Sequence, residues 1–186
     1  MDNEEIKKIR DQIWTTRISR VNAEKRLLNK NSFVQGINIY YSCITIIFSI
    51  LSVIYNDNAL SLITTFMTIA LLVGVLYLNS LRYVDLARDY RTNYTQLHKL
   101  EFELDDSQLT DERIKEIKNQ YCELLDSSCN HISYDYYCTV HGSKGDYREA
   151  NWKRVRRYYY WGFSWRLLVK VFIVLLPIAV YFMARG

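Results

Sequence analysis

The chain has 186 residues, of which 24% are charged, and its 24 Lys and Arg against 20 Asp and Glu leave a net charge of +4. With a mean hydropathy of -0.15, these averages are those of a soluble protein. Two uncharged apolar runs of 20 residues each override the averages and read as membrane spans rather than as buried core helices of a soluble protein.

Residues 1–33 read as an amphipathic helix that lies in the cytoplasm. The segment lacks Gly and Pro, and Ile6, Ile9 and Ile13 begin an apolar stripe that Trp14, Ile18, Val21 and Leu28 continue, opposite a cationic face. The apolar runs follow at residues 36–55 and 59–78. A helix of that length covers the roughly 30 Å hydrocarbon core of a bilayer. Only Asn56-Asp57-Asn58 separates them, so the two spans form an antiparallel hairpin. The long charged segment before the first run argues against a secretory signal peptide. Arg17, Arg20, Lys25, Arg26 and Lys30 precede the hairpin and Arg82, Arg88, Arg91 and Lys99 follow it, whereas its tip has no cation. Both flanks are therefore expected in the cytoplasm and the tip outside. Tyr40, Tyr41, Tyr55, Tyr77 and Tyr83 suit an interfacial aromatic belt.

No breaker stands between Leu78 and Leu104, which predicts that the second span runs on as a helix. Tyr83, Tyr90, Leu97 and Leu104 recur every seventh residue, with Ala87 and Tyr94 between, as a seam for the N-terminal helix or a neighbouring subunit. Asp105-Asp106-Ser107 punctuates this helix. Thr110 then offers an N-cap to a helix reaching about Asp126, with Asp111 and Glu112 in its first turn. Residues 142–151 are the best loop, and Asn151 caps a last helix, completing a cytoplasmic part over 79–166. Residues 167–183 are apolar, contain the only proline (Pro177), and carry Lys170 near their start. Basic and aromatic residues just upstream make this stretch a short third span whose lysine snorkels; a helix lying in the interface is the alternative. The expected fold class is an all-α membrane protein: a transmembrane hairpin, long cytoplasmic helices and a C-terminal third membrane helix, in one domain.

Catalysis finds little support. Phosphate-cradling Gly loops and nucleophile elbows are absent, and His98, His131 and His141 are the only histidines. Cys122, Cys129, His131, Cys138 and His141 cluster in sequence, yet lack the close Cys pair that sets tetrahedral zinc geometry. No metal, cofactor or enzymatic activity is expected. The spans carry hydroxyl rows instead: Ser42, Thr45, Ser49 and Ser52 on the first, and Ser61, Thr64, Thr65 and Thr68 on the second. Such rows either pack helices or, in an oligomer, line a water-filled pore; Ser42, Thr45, Ser49, Ser52, Ser61, Thr65 and Thr68 are the pore-lining candidates. Uncharged spans argue against a proton pump or coupled transporter. Lys153, Arg154, Arg156 and Arg157, flanked by aromatics, serve either as a lipid anchor or as a phosphate-binding patch.

Ile13-Trp14-Thr15-Thr16-Arg17-Ile18-Ser19-Arg20-Val21-Asn22-Ala23-Glu24-Lys25-Arg26-Leu27, the hairpin, then Tyr83-x2-Leu86-Ala87-x2-Tyr90-Arg91-x-Asn93-Tyr94-x2-Leu97 and Asn130-His131-x3-Asp135-Tyr136 together resemble the SLATT family of bacterial membrane effectors. The resemblance implies a partner of nucleotide-producing enzymes (nucleotidyltransferases of the SMODS type, SLOG domains, some reverse transcriptases) in antiphage defence. It implies a pore-forming homo-oligomer, a tetramer as first expectation, in the lipid bilayer. A nucleotide or oligonucleotide signal would gate it, bound by Arg17, Arg20, Lys153, Arg154, Arg156 or Arg157, and its depolarisation of the membrane would arrest growth. A third span departs from the family's two-helix pattern. The rival expectation is a non-conducting anchor that recruits a partner through the Tyr83/Tyr90/Leu97/Leu104 seam.

Overall fold

Every described segment that is not a connection is α-helical. The computed structural model describes residues 3–104, 110–127, 130–143 and 152–185. The helices are α1 (Asn3–Tyr55), α2 (Asn58–Ser80), α3 (Tyr83–Glu103), α4 (Asp111–Asp126), α5 (Ser133–Gly142) and α6 (Trp152–Arg185). Three of them are long and apolar enough to cross a membrane: α1, the helix beginning at Asn58, and α6. The chain divides into two compact units, a polar one of Met1–Leu28 and Val84–Gly162 and an apolar one of Asn29–Tyr83 and Phe163–Gly186.

The amphipathic segment and the first span are one helix, α1, because nothing between Asn29 and Gly36 breaks it. The hairpin turn falls where the sequence places it. Asn56 takes a positive φ of 49°, a conformation that Asn tolerates better than most residues, and Asp57 caps α2 by accepting from the Leu60 N–H at 3.0 Å. The expected continuation of the second span does not occur: α2 stops at Ser80 and α3 starts at Tyr83. Arg82 sits at φ 46°, while the Leu81 and Arg82 N–H groups close tight turns on the Leu78 and Asn79 carbonyls. The Ser80 hydroxyl donates to the Tyr77 carbonyl at 2.6 Å and helps to end the helix. This stop depends on backbone strain and a serine cap, which no Gly or Pro announces.

In the polar unit, Ile9 and Ile13 of α1, Leu97, Leu100 and Leu104 of α3, and Ile114 and Ile117 of α4 form a buried cluster, with Ile6, Tyr121 and Leu124 against it. Thr110 caps α4 as its sequence position suggests, accepting from the Arg113 N–H at 3.3 Å. Beyond Ile13 the expected apolar stripe gives way. Trp14, Ile18 and Val21 are only half-buried, whereas Thr16, Ser19, Arg20, Ala23 and Glu24 are buried. Rings pack α5 on α6: Tyr159 stacks on His141 with centroids 4.2 Å apart, and Tyr158 stacks on Tyr137 at 5.0 Å. Tyr158 and Tyr159, among the aromatic residues just upstream of the expected third span, thus serve as packing groups. Gly162 lies so close to Tyr134 that an added Cβ would meet its ring at 2.9 Å. Asp105, Asp106, Ser107, Cys129, Asn151 and all but the start of the 142–151 loop lie outside the described residues.

The apolar unit shows how α6 is fastened. Pro177 is buried and has no N–H, so the Ile173 carbonyl one turn earlier loses its helical donor. The Tyr41 hydroxyl replaces it, donating to that carbonyl at 2.7 Å, and Tyr40 donates to the Val174 carbonyl at 2.9 Å. Phe48 stacks on Tyr181 at 5.4 Å. Lys170, expected to snorkel, holds its Nζ 4.7 Å from the centre of the Phe33 ring. Tyr41→Phe is expected to destabilise the protein by about 1 kcal/mol, the typical net value of one hydrogen bond. In a Pro177→Ala background, where the helix regains its own donor, that loss should largely vanish. A double-mutant cycle on unfolding in detergent micelles measures the coupling, and equal losses in both backgrounds would refute it.

Candidate functional site

Below the apolar cluster of the polar unit lies a buried polar network whose residues come from α1, α3, α4, the segment before α5, and α5 itself. Its strongest link is Arg26 on α1 to Asp135 on α5. The guanidinium Nε and Nη2 reach the two carboxylate oxygens at 2.8 and 3.0 Å, and the Asp135 side chain is only 1% exposed. Asp135 also accepts from the Ile132 N–H at 3.2 Å, holding the first turn of α5. Asn22 donates to Thr139 at 3.0 Å, and the Ser19 and Thr139 hydroxyls lie 3.1 Å apart. Glu24, itself buried, accepts from Arg91 of α3 at 2.7 Å, a bond that raises the Arg91 pKa. Thr16 meets the Tyr121 hydroxyl at 2.9 Å, and the Tyr90 hydroxyl donates to the Asn130 carbonyl at 3.1 Å.

The Leu124 carbonyl, near the end of α4, receives both Asn93 Nδ2 at 2.8 Å and Arg20 Nη1 at 3.1 Å. Arg20 is fully buried, and burial lowers its pKa. Its Nε and Nη2, together with Asn93 Oδ1 and His131 Nδ1, are buried with no hydrogen-bond partner.

The cations singled out from the sequence do not share one setting. Arg17 pairs with Glu101 of α3 at 2.6 Å, Arg20 is enclosed, and Lys153, Arg154, Arg156 and Arg157 are exposed on the first turns of α6, with Arg154 over the Tyr158 ring at 5.8 Å. The hydroxyl rows divide as well. Ser42, Ser49, Ser61, Thr65 and Thr68 are exposed, Thr45 is half-buried, and Ser52 and Thr64 are buried. Ser42, Thr45, Thr65 and Thr68 each donate to the carbonyl four residues back, at 2.8 to 3.0 Å. Among the described residues no three His, Cys, Asp or Glu side chains are placed to hold a metal ion.

A family described as SMODS and SLOG-associating 2TM effector domain family 5, the fifth SLATT family, matches residues 2–183. The chain belongs to this SLATT family. No curated protein and no solved structure matches it. Membership makes the chain a transmembrane effector domain, and α6 gives it one more membrane-length helix than the family's description names. The residues that carry the SLATT resemblance are largely those of the buried network: Ser19, Arg20, Asn22, Glu24 and Arg26, then Tyr90, Arg91 and Asn93, then His131 and Asp135. Hydropathy reading missed Asn93, Asp135 and Thr139 as partners, since polar letters on a helix read as solvated face. The run of polar residues facing inward at Thr16, Ser19 and Glu24 was the available signal.

Two tests follow from this geometry. Asp135→Asn strands a buried guanidinium, so a loss of about 3–5 kcal/mol is expected in chemical unfolding of the full chain. His131 has a pKa held below its ordinary value, mainly by burial and also by Arg20, with Asp135 opposing. A depressed histidine pKa means that the unfolded chain takes up the proton first. Its contribution is full above about pH 6.5 and is lost as pH falls toward the lower folded value. Stability measured from pH 7.5 down to 5.5 should therefore decline less steeply in His131→Gln than in the wild type.

Proposed function

We propose that this SLATT chain is a pore-forming effector of the bacterial inner membrane, acting in antiphage defence and gated by a nucleotide or oligonucleotide from a partner nucleotidyltransferase. The carrying observation is the exposed row Ser42, Ser49, Ser61, Thr65 and Thr68 on the hairpin, whose hydroxyls the apolar unit leaves uncovered. Ser42, Thr65 and Thr68 donate back to their own helices, and each oxygen keeps an acceptor lone pair that water in a pore would use. Two or three helices cannot enclose a pathway, so conduction calls for a homo-oligomer, with a tetramer as the first expectation, whose subunits turn these hydroxyls inward. The apolar exterior around them, with Val53 80% and Phe66 65% exposed, suits lipid and subunit contact. By the positive-inside bias the polar unit faces the cytoplasm, where the signal is made. Depolarisation would arrest growth of an infected cell.

Burial of most of the seam disfavours the anchoring alternative. Tyr90, Leu97 and Leu104 of the seam are buried inside the polar unit, with Leu97 and Leu104 packed on Ile13 and Ile114. They are not available to recruit a partner. Purified protein in liposomes is expected to pass ions, with a flux that changes on adding nucleotide. Leucine at both Ser49 and Thr65 should bring flux near the protein-free background while leaving the oligomer intact. Folded, inserted protein that never conducts under any nucleotide would overturn the pore.

A further inference from the structure

Among the described residues, the polar unit holds one fully buried charge that no countercharge of the chain reaches. Glu24 is committed to Arg91, both Asp135 oxygens to Arg26, and Glu101 to Arg17. Among the described residues no carboxylate reaches Arg20, whose side chain is fully buried and makes one bond, to a neutral carbonyl. A guanidinium in that position carries a large desolvation penalty that one carbonyl does not offset.

The unfilled part of Arg20 has a definite shape. Nε and Nη2 form the side-on edge of the guanidinium, and two turns further along α1 Arg26 uses this same pair of nitrogens to grip both oxygens of Asp135. On Arg20 that edge is empty. Two parallel N–H donors on a delocalised cation match a carboxylate or a phosphoryl group. Asn93, whose amide nitrogen shares the Leu124 carbonyl with Arg20, also carries an unpartnered Oδ1. That oxygen only accepts, so it favours an anion that still carries a proton. Inorganic phosphate near neutral pH has one and a phosphomonoester keeps one in its monoanionic form, whereas sulfate, carboxylate and phosphodiesters do not. Arg20 itself lines neither of two cavities, but residues around it do. Tyr90, Asn93 and Ser127 line a cavity of about 290 Å³, and Thr16, Tyr121 and His131 line a groove of about 1390 Å³. That groove also carries Glu4, Glu5 and Asp11 alongside Lys7 and Lys8, so the preference for an anion resides at Arg20 rather than at the entrance.

We propose that Arg20 and Asn93 form an internal phosphoryl-binding site of the polar unit, with the Nε/Nη2 edge of Arg20 holding two phosphoryl oxygens and Asn93 Oδ1 accepting the P–OH proton. The site deepens the proposed function, on which it rests only for the physiological source of the phosphoryl group: a nucleotide signal rather than free phosphate. Binding here supplies the missing countercharge, so it stabilises this arrangement of α1, α3 and α4 over any in which Arg20 is hydrated. The exposed cations of α6 are not required.

The test is thermal unfolding of the full chain in detergent, with millimolar inorganic phosphate, adenosine 5′-monophosphate or sulfate at matched ionic strength. Phosphate is expected to raise the unfolding midpoint by several degrees and sulfate to raise it less. A further response to the mononucleotide assigns the site to a nucleotide phosphoryl group, and a response to phosphate alone assigns it to the free anion. Arg20→Lys keeps the charge but loses the edge and should weaken phosphate about tenfold or more. Arg20→Met removes the unpaired charge. It should unfold no lower than the unliganded wild type and should not respond to phosphate, whereas Arg17→Gln should respond like the wild type. An unmoved wild-type midpoint, equal shifts with sulfate, or undiminished affinity in Arg20→Lys would overturn the site. Nucleotide-responsive flux together with undiminished affinity in that variant would remove the site and leave gating standing. Arg20-dependent binding without any flux would keep the site and remove the pore.

Discussion

A carbonyl that loses its donor inside hydrocarbon has no water to turn to, and the apolar unit is built around that fact. Helix is the only backbone form these spans can take, because it satisfies each peptide within its own segment. Two of its interruptions are handled by single side chains. At the hairpin tip the Asp57 side chain takes an orphan N–H of α2, and at Pro177 a tyrosine from α1 reaches the freed carbonyl. The hydroxyls of Ser42, Thr45, Thr65 and Thr68 return to their own helices, which lets polar letters sit on spans without requiring a partner.

The polar unit solves a different problem. Its main apolar cluster centres on Ile13, Leu97 and Ile117, with scattered buried apolar residues such as Ala23, Leu27 and Val140 beyond it. Farther along α1 the helices meet largely through charges and hydroxyls, set among those apolar residues. Such contacts are directional, and they select one register of α1 against α3 and α5 where apolar packing would accept several. Arg26 and Asp135 specify this join because either one alone would leave a buried charge. Arg20 departs from the pattern. A network that satisfies its other arginines and leaves this one without a countercharge is arranged for an anion from outside the chain, and this connects the fold to the signalling role proposed for the family member.

Much of the architecture was legible in the sequence. Charge-free runs flanked by cations specify membrane helices, Asn56-Asp57-Asn58 can only be a turn, and Thr110 before two acids is a helix start. The stop at Leu81-Arg82 was not legible. It uses a left-handed arginine, and the preference it violates carries no mark in the letters around it. Nor was the polar face of α1 legible. Thr16, Ser19 and Glu24 read as solvated because a hydropathy pattern cannot see the partners that make their burial tolerable.

The sequence by itself therefore determined helix content, membrane-length spans and family, since each depends on local composition and spacing that every residue carries with it. The tertiary structure alone decided which arginines are spent and which is left open. Arg17, Arg20 and Arg26 are equivalent letters on one helix, and only the placement of Glu101, Leu124 and Asp135 on other helices separates them. Electrostatic roles are set by distance to a countercharge, and those distances exist only after the chain has folded.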